Sequence, residues 1–149
     1  MRITLWINDR QQELEVTCNE FLAETLRNNG YLSVRQGCST TSCGLCTVWM
    51  DDKPVLSCSV LSVMANGKRI TTIEGVQDEA RAVAGFLVGE GAEQCGFCIP
   101  GLVMTVLAMK KDLRQPTAEQ IVHYLNGNLC RCSGYMGQLR GIKKYLGVE

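Results

Sequence analysis

Residues 35–48 read Arg-Gln-Gly-Cys-Ser-Thr-Thr-Ser-Cys-Gly-Leu-Cys-Thr-Val, and they bring Cys38, Cys43 and Cys46 within nine residues of one another. Almost everything between them is Gly, Ser or Thr. Small residues keep a loop thin and let its backbone N–H groups approach whatever the thiols hold. A fourth thiol, Cys58, follows after eleven more residues. The whole chain has nine cysteines among 149 residues. An odd number with no secretion signal is a poor disulfide framework. In a reducing compartment such a count points to metal.

The spacing Cys38-x4-Cys43-x2-Cys46, with Cys58 beyond, is the plant-type [2Fe–2S] pattern. Each iron takes two thiolates, and bridging sulfides complete its tetrahedral shell. A lone C-x2-C would suit zinc, but the x4 spacing with a distant fourth cysteine on a strand-rich scaffold does not. A second set follows: Cys95-Gly96-Phe97-Cys98 just before a helix start, and Cys130-Arg131-Cys132 in a loop after Asn126-Gly127. Two pairs at helix ends can enclose one four-thiolate site, where free N–H groups and the helix dipole favour an anion. Spacing alone leaves iron–sulfur and all-thiolate zinc both open for this set. Cys18 is left over and reads as a small buried side chain.

The flanking sequence divides near residue 75. Before it, Ile3, Leu5 and Ile7 alternate with polar residues as a strand, and Leu14 and Val16 continue as a second strand after the turn at Asn8-Asp9-Arg10. Thr17-Cys18-Asn19-Glu20 is a capping box for a helix carrying Phe21, Leu22, Thr25 and Leu26. Thr47–Met50 and Val55–Cys58 read as short strands around Asp51–Pro54, a short helix spans about 59–66, and Arg69–Ile73 is a last strand. After residue 75 only helices are expected. They open at Asp78, at Pro100 as first helical residue, and at Thr117 in the box Thr117-Ala118-Glu119-Gln120; a final one carries Leu139, Ile142 and Leu146. His123, the only histidine, reads as structural.

Apolar residues make up 46% and charged residues 20%, the balance of a globular protein. Fifteen Lys plus Arg against fifteen Asp plus Glu give no electrostatic case for nucleic acid or an anionic membrane. No apolar run reaches membrane-span length and no targeting segment is visible, so a cytoplasmic location is expected.

The three motifs QGCSTTSCGLCTV, QCGFCIPG and GNLCRCSGY, in that order, resemble the iron–sulfur subunit of the molybdenum hydroxylases, the xanthine dehydrogenase family. The resemblance covers essentially the whole chain. It implies an α+β fold: a plant-type ferredoxin-like β-grasp domain over 1–75, then an all-α helical-bundle [2Fe–2S] domain over 76–149. By motif, Cys38, Cys43, Cys46 and Cys58 would bind one [2Fe–2S] cluster, and Cys95, Cys98, Cys130 and Cys132 the other. Gln94 matches a glutamine that hydrogen-bonds the pterin, and Cys132 the ligand nearest the pterin edge.

A large molybdenum–pterin subunit and an FAD-binding subunit are the implied partners, and no catalytic residue is expected in this chain. It would relay electrons from molybdenum through two clusters to FAD or another acceptor. A xanthine or purine holoenzyme comes first. Nicotinate, aldehyde or carbon monoxide dehydrogenases of the same family, and a free-standing two-cluster ferredoxin, are the alternatives. Thr41 and Leu45 are bulkier than the Gly and Ala frequent at their positions. Ile99 replaces a frequent Thr and cannot cap the helix that follows.

Overall fold

The computed structural model describes residues 1–148. Five strands form one mixed sheet: β1 (Arg2–Ile7), β2 (Arg10–Glu15), β3 (Thr47–Met50), β4 (Lys53–Leu56) and β5 (Arg69–Thr71). Their spatial order is β2-β1-β5-β3-β4. Among the described residues only the β1–β5 pair is parallel. Helix α1 (Leu22–Asn28) buries Leu22 and Leu26 against Ile3, Leu5, Ile7, Val48 and Ile70, the β-grasp core. Four helices follow: α2 (Gln77–Gly89), α3 (Ile99–Asp112), α4 (Ala118–Tyr124) and α5 (Met136–Leu146). Every residue of α3 from Gly101 to Met109 is buried, so this helix is the axis of the second half. No described helix is long and apolar enough to cross a membrane.

Several boundaries differ from the sequence reading. The box at Thr17 does not start a helix. Thr17 N donates to Glu20 at 3.3 Å, but an isolated bridge between Phe21 and Leu61 holds the chain extended there. The helix therefore begins at Leu22, and Glu24 accepts from Phe21 N instead. Cys18 is consequently exposed on a turn rather than buried. The same bridge splits the helix expected over 59–66 into two 3-10 turns, Ser57–Ser59 and Ser62–Ala65.

Strand β4 starts at Lys53 because Asp51 and Asp52, with φ of 50° and 65°, make a two-residue turn. Pro54 is tolerated because β4 lies at a sheet edge. The box at Thr117 forms as read: Gln120 N donates to Thr117 Oγ1, and Thr117 N donates to Gln120 Oε1. His123 lies exposed on α4.

The two halves share strand β3. Alternation sends Val48 into the β-grasp core and Trp49 into the helical core. The Trp49 indole donates to Met104 O at 3.0 Å, and Lys111 Nζ lies 3.9 Å from the ring centre. Trp49→Ala should cost roughly 3–5 kcal/mol, the usual range for emptying a buried aromatic site. Urea unfolding would measure it; a midpoint unchanged from the parent would show that the indole does not join the halves.

Candidate metal centres

Helix α1 ends at Asn28, and the chain from there to β3 has no regular secondary structure, so backbone N–H groups are free to point at sulfur. Cys43 and Cys46 are buried, while Cys38 and Cys58 are half-buried. The thiols stand in pairs, Cys38 with Cys43 and Cys46 with Cys58. The Thr40 backbone N–H, then the Cys43 thiol and further N–H groups from Ser42 and Cys43, draw the Cys38 thiol down to about 6. Burial, with Cys46 beside it, pushes Cys58 up to about 12. Burial also raises Cys43, against N–H groups from Leu45 and Gly37.

Thr41 holds φ of 55°, a left-handed backbone that a β-branched residue rarely adopts. A residue bulkier than glycine is thus carried in a glycine-like conformation. Leu45 is buried beneath the loop and fills the space against Gly37.

The second quartet is assembled from two places. Cys95 and Cys98 precede α3; its N-cap is Cys98, without a side-chain capping bond, so Ile99 is the first helical residue and Pro100 the second, one residue earlier than the sequence suggests. Cys130 and Cys132 lie in the loop before α5. These thiols also pair: Cys132 Sγ is 3.6 Å from Cys95 Sγ, and Cys98 bonds Cys130. Cys132 N and Ser133 N each donate to Cys130 Sγ at 3.4 Å. Burial opposes ionisation of Cys130, but the Ser133 hydroxyl and these N–H groups outweigh it and bring the thiol to about 7. Burial pushes Cys98 up to about 11. Cys95 and Cys132 are exposed. Gln94 Nε2 donates to Cys132 O at 3.2 Å, so these two predicted pterin-side residues share one exposed edge.

All four thiols of the second quartet and two of the first, Cys38 and Cys43, line a common cleft of about 410 Å³. The seam beside it is backbone on backbone. Leu129 N donates to Cys43 O at 2.9 Å. Gly44 has φ of 73°, and a Cβ there would sit 2.2 Å from Gly127 O. A Cβ on Gly101 would sit 2.4 Å from Gly44 O. Arg35 Nη1 donates to Gly96 O at 3.0 Å, and its guanidinium lies 5.0 Å from the Phe97 ring centre. Arg35 thereby joins the two cysteine loops.

The residues fit two-iron cores by the chemistry of the donor set. Each site gathers four thiols two by two, with backbone N–H groups on sulfur, the arrangement that stabilises anionic clusters. No three His, Cys, Asp or Glu side chains among the described residues are grouped to hold a single metal ion. Sequence reasoning missed Arg35, Leu129, Tyr135 and Gln138. Tyr135 Oη accepts from Cys130 N at 3.2 Å, and Gln138 Nε2 lies 3.8 Å from Cys98 Sγ. The partners of Arg35, Leu129 and Gln138 are distant in sequence, so no local pattern announces them, whereas Tyr135 lies five residues from Cys130 in the same motif.

Comparison with known proteins agrees with this architecture. Residues 6–72 match the 2Fe-2S iron-sulfur cluster binding domain, and residues 72–143 the [2Fe-2S] binding domain. The chain is 42% identical over 133 residues to the xanthine dehydrogenase iron-sulfur-binding subunit of Escherichia coli O157:H7, covering 87% of this chain and 84% of that one. It is 36% identical over 137 residues to the nicotinate dehydrogenase small FeS subunit of Eubacterium barkeri, covering 90% and 87%. Among solved structures, quinoline 2-oxidoreductase from Pseudomonas putida 86 superposes with a TM-score of 0.88 at 33% identity, covering 95% of this chain and 90% of that one. The chain belongs to the family of two-cluster iron–sulfur small subunits of the molybdenum hydroxylases, the group that includes xanthine dehydrogenase.

Proposed function

We propose that this chain carries electrons from a molybdenum–pterin subunit to an FAD-bearing subunit inside a cytoplasmic xanthine- or purine-oxidising holoenzyme. The chain divides into functional units at 1–75 and 76–149. Cys95, Cys98, Cys130 and Cys132 hold the entry cluster, and Cys38, Cys43, Cys46 and Cys58 hold the exit cluster. When bound, each [2Fe–2S] core accepts and returns one electron.

One observation carries this reading: the Leu129 N–H to Cys43 carbonyl bond. Leu129 is covalently joined to Cys130, so a ligand of one quartet connects to a ligand of the other through a short bonded path with a single hydrogen bond. Backbone groups hold that path at fixed length, and α3 behind it keeps both loops in register. Gln94 and Cys132 present the outer edge to the pterin, Gln94 offering its amide and Cys132 its exposed sulfur. The rim of the other quartet, Ser39 to Ser42, is uncharged and exposed, and in this reading it is the edge offered to the FAD subunit.

Purine is preferred as substrate class because the 42% relative is a xanthine dehydrogenase subunit. Nicotinate, aldehyde and carbon monoxide oxidation use the same relay. Expression with its neighbouring reading frames should co-purify this chain with a large molybdenum-containing chain and an FAD chain, with about four irons on this chain. The complex should reduce dye acceptors with xanthine or hypoxanthine. A stable monomer that exchanges electrons with many unrelated partners would overturn the subunit role in favour of a free ferredoxin. Zinc in place of iron would overturn both.

A further inference from the structure

Gln138 is the third residue of α5 and only 4% exposed. An amide buried this deeply is costly without hydrogen bonds. Its Nε2 points at Cys98 Sγ, 3.8 Å away. Cys98 and Cys130 are the inner, half-buried thiols of their quartet, and Cys95 and Cys132 the exposed ones. Cys130 receives two backbone N–H groups from its own loop. The side-chain amide that reaches Cys98 comes from a different element, α5. Gly137 beside it is buried against Glu90 and Ala92, which fixes the start of the helix. Arg140 and Lys144, further along α5, pair with Glu90. The amide is therefore presented by an anchored helix.

A hydrogen bond to a ligating sulfur stabilises the more negative, reduced cluster and so raises its reduction potential. We propose that Gln138 is a built-in potential-setting donor for the helical-domain cluster, holding it high enough to draw electrons from the molybdenum side. This rests on the reading of Cys95, Cys98, Cys130 and Cys132 as cluster ligands. The burial and the direction of the amide are observations independent of that reading.

The test uses the intact complex with Gln138→Leu and Gln138→Met. Both remove the donor, and Met keeps the side-chain length. Paramagnetic resonance during a redox titration follows each cluster separately. The helical-domain cluster should become harder to reduce: at a fixed potential its reduced-to-oxidised ratio should fall roughly five-fold, the weight of one ordinary hydrogen bond. The ferredoxin-like cluster should titrate as in the parent, and iron should stay at about four per chain. An unmoved helical-domain midpoint in both fully loaded variants would overturn the proposal and leave the relay intact. Loss of iron from both variants would also overturn it, since Gln138 would then be needed for assembly. A parent chain that never binds iron in the helical half would instead sink the ligand reading beneath it.

Discussion

Cys98→Ser should empty the helical-domain site while leaving the other one filled. Iron should drop from about four to about two per chain, and one of two paramagnetic signals should vanish on reduction. Turnover with acceptors that draw electrons through this chain should fall to roughly a hundredth or less, since even loss of an outer partner of a metal ligand costs up to about a hundredfold. The effect is large because of where the thiol sits. Cys98 caps α3, is paired with Cys130 and accepts from Gln138. A serine oxygen is a harder ligand than the thiolate it replaces and a poor match for a cluster held by three soft sulfurs. Cys18→Ser is the control: Cys18 is exposed on the turn before α1, among neither quartet, and iron and signals should be unchanged. A cluster lost from the Cys18 variant would show that the thiols are sorted wrongly.

Gly44→Ala should be the most damaging single methyl in the molecule. At φ of 73° an L-residue pays roughly 1–2 kcal/mol for the left-handed backbone alone. The added Cβ also meets Gly127 O at 2.2 Å and Asn128 Nδ2 at 2.8 Å. A carbonyl cannot rotate aside as a side chain can, so the loop before Cys130 has to move. That movement breaks the Leu129 to Cys43 bond. We expect a loss of about 3 kcal/mol or more in urea unfolding. Transfer between the two clusters, followed by rapid-freeze paramagnetic resonance, should slow even where both clusters load. Normal stability and normal transfer would show that the seam gives way without cost.

Much of this was legible because cysteine spacing is a strong local signal. Cys38, Cys43 and Cys46 lie on one loop, and the short C-x2-C and C-x-C pairs each keep together. The strand alternation in residues 2–7 and the Thr117 capping box are equally local, and both form. The misses are tertiary. Thr17 has the right neighbours for a cap, yet the bridge from Phe21 to Leu61 overrides them. Lys53 joins a strand because two aspartates adopt positive φ, which composition alone does not announce. Arg35 and Gln138 look like ordinary surface residues in the sequence. Their roles come from Gly96, 61 residues away, and Cys98, 40 residues away.

Strand β3 carries one further consequence. With Val48 committed to one interior and Trp49 to the other, neither half is a portable module. Grafting on a ferredoxin-like half that lacks an indole at this position would leave a void beside Met104, or force in a side chain of the wrong shape. Successful chimeras will need the crossover placed so that residue 49 and its pocket travel together.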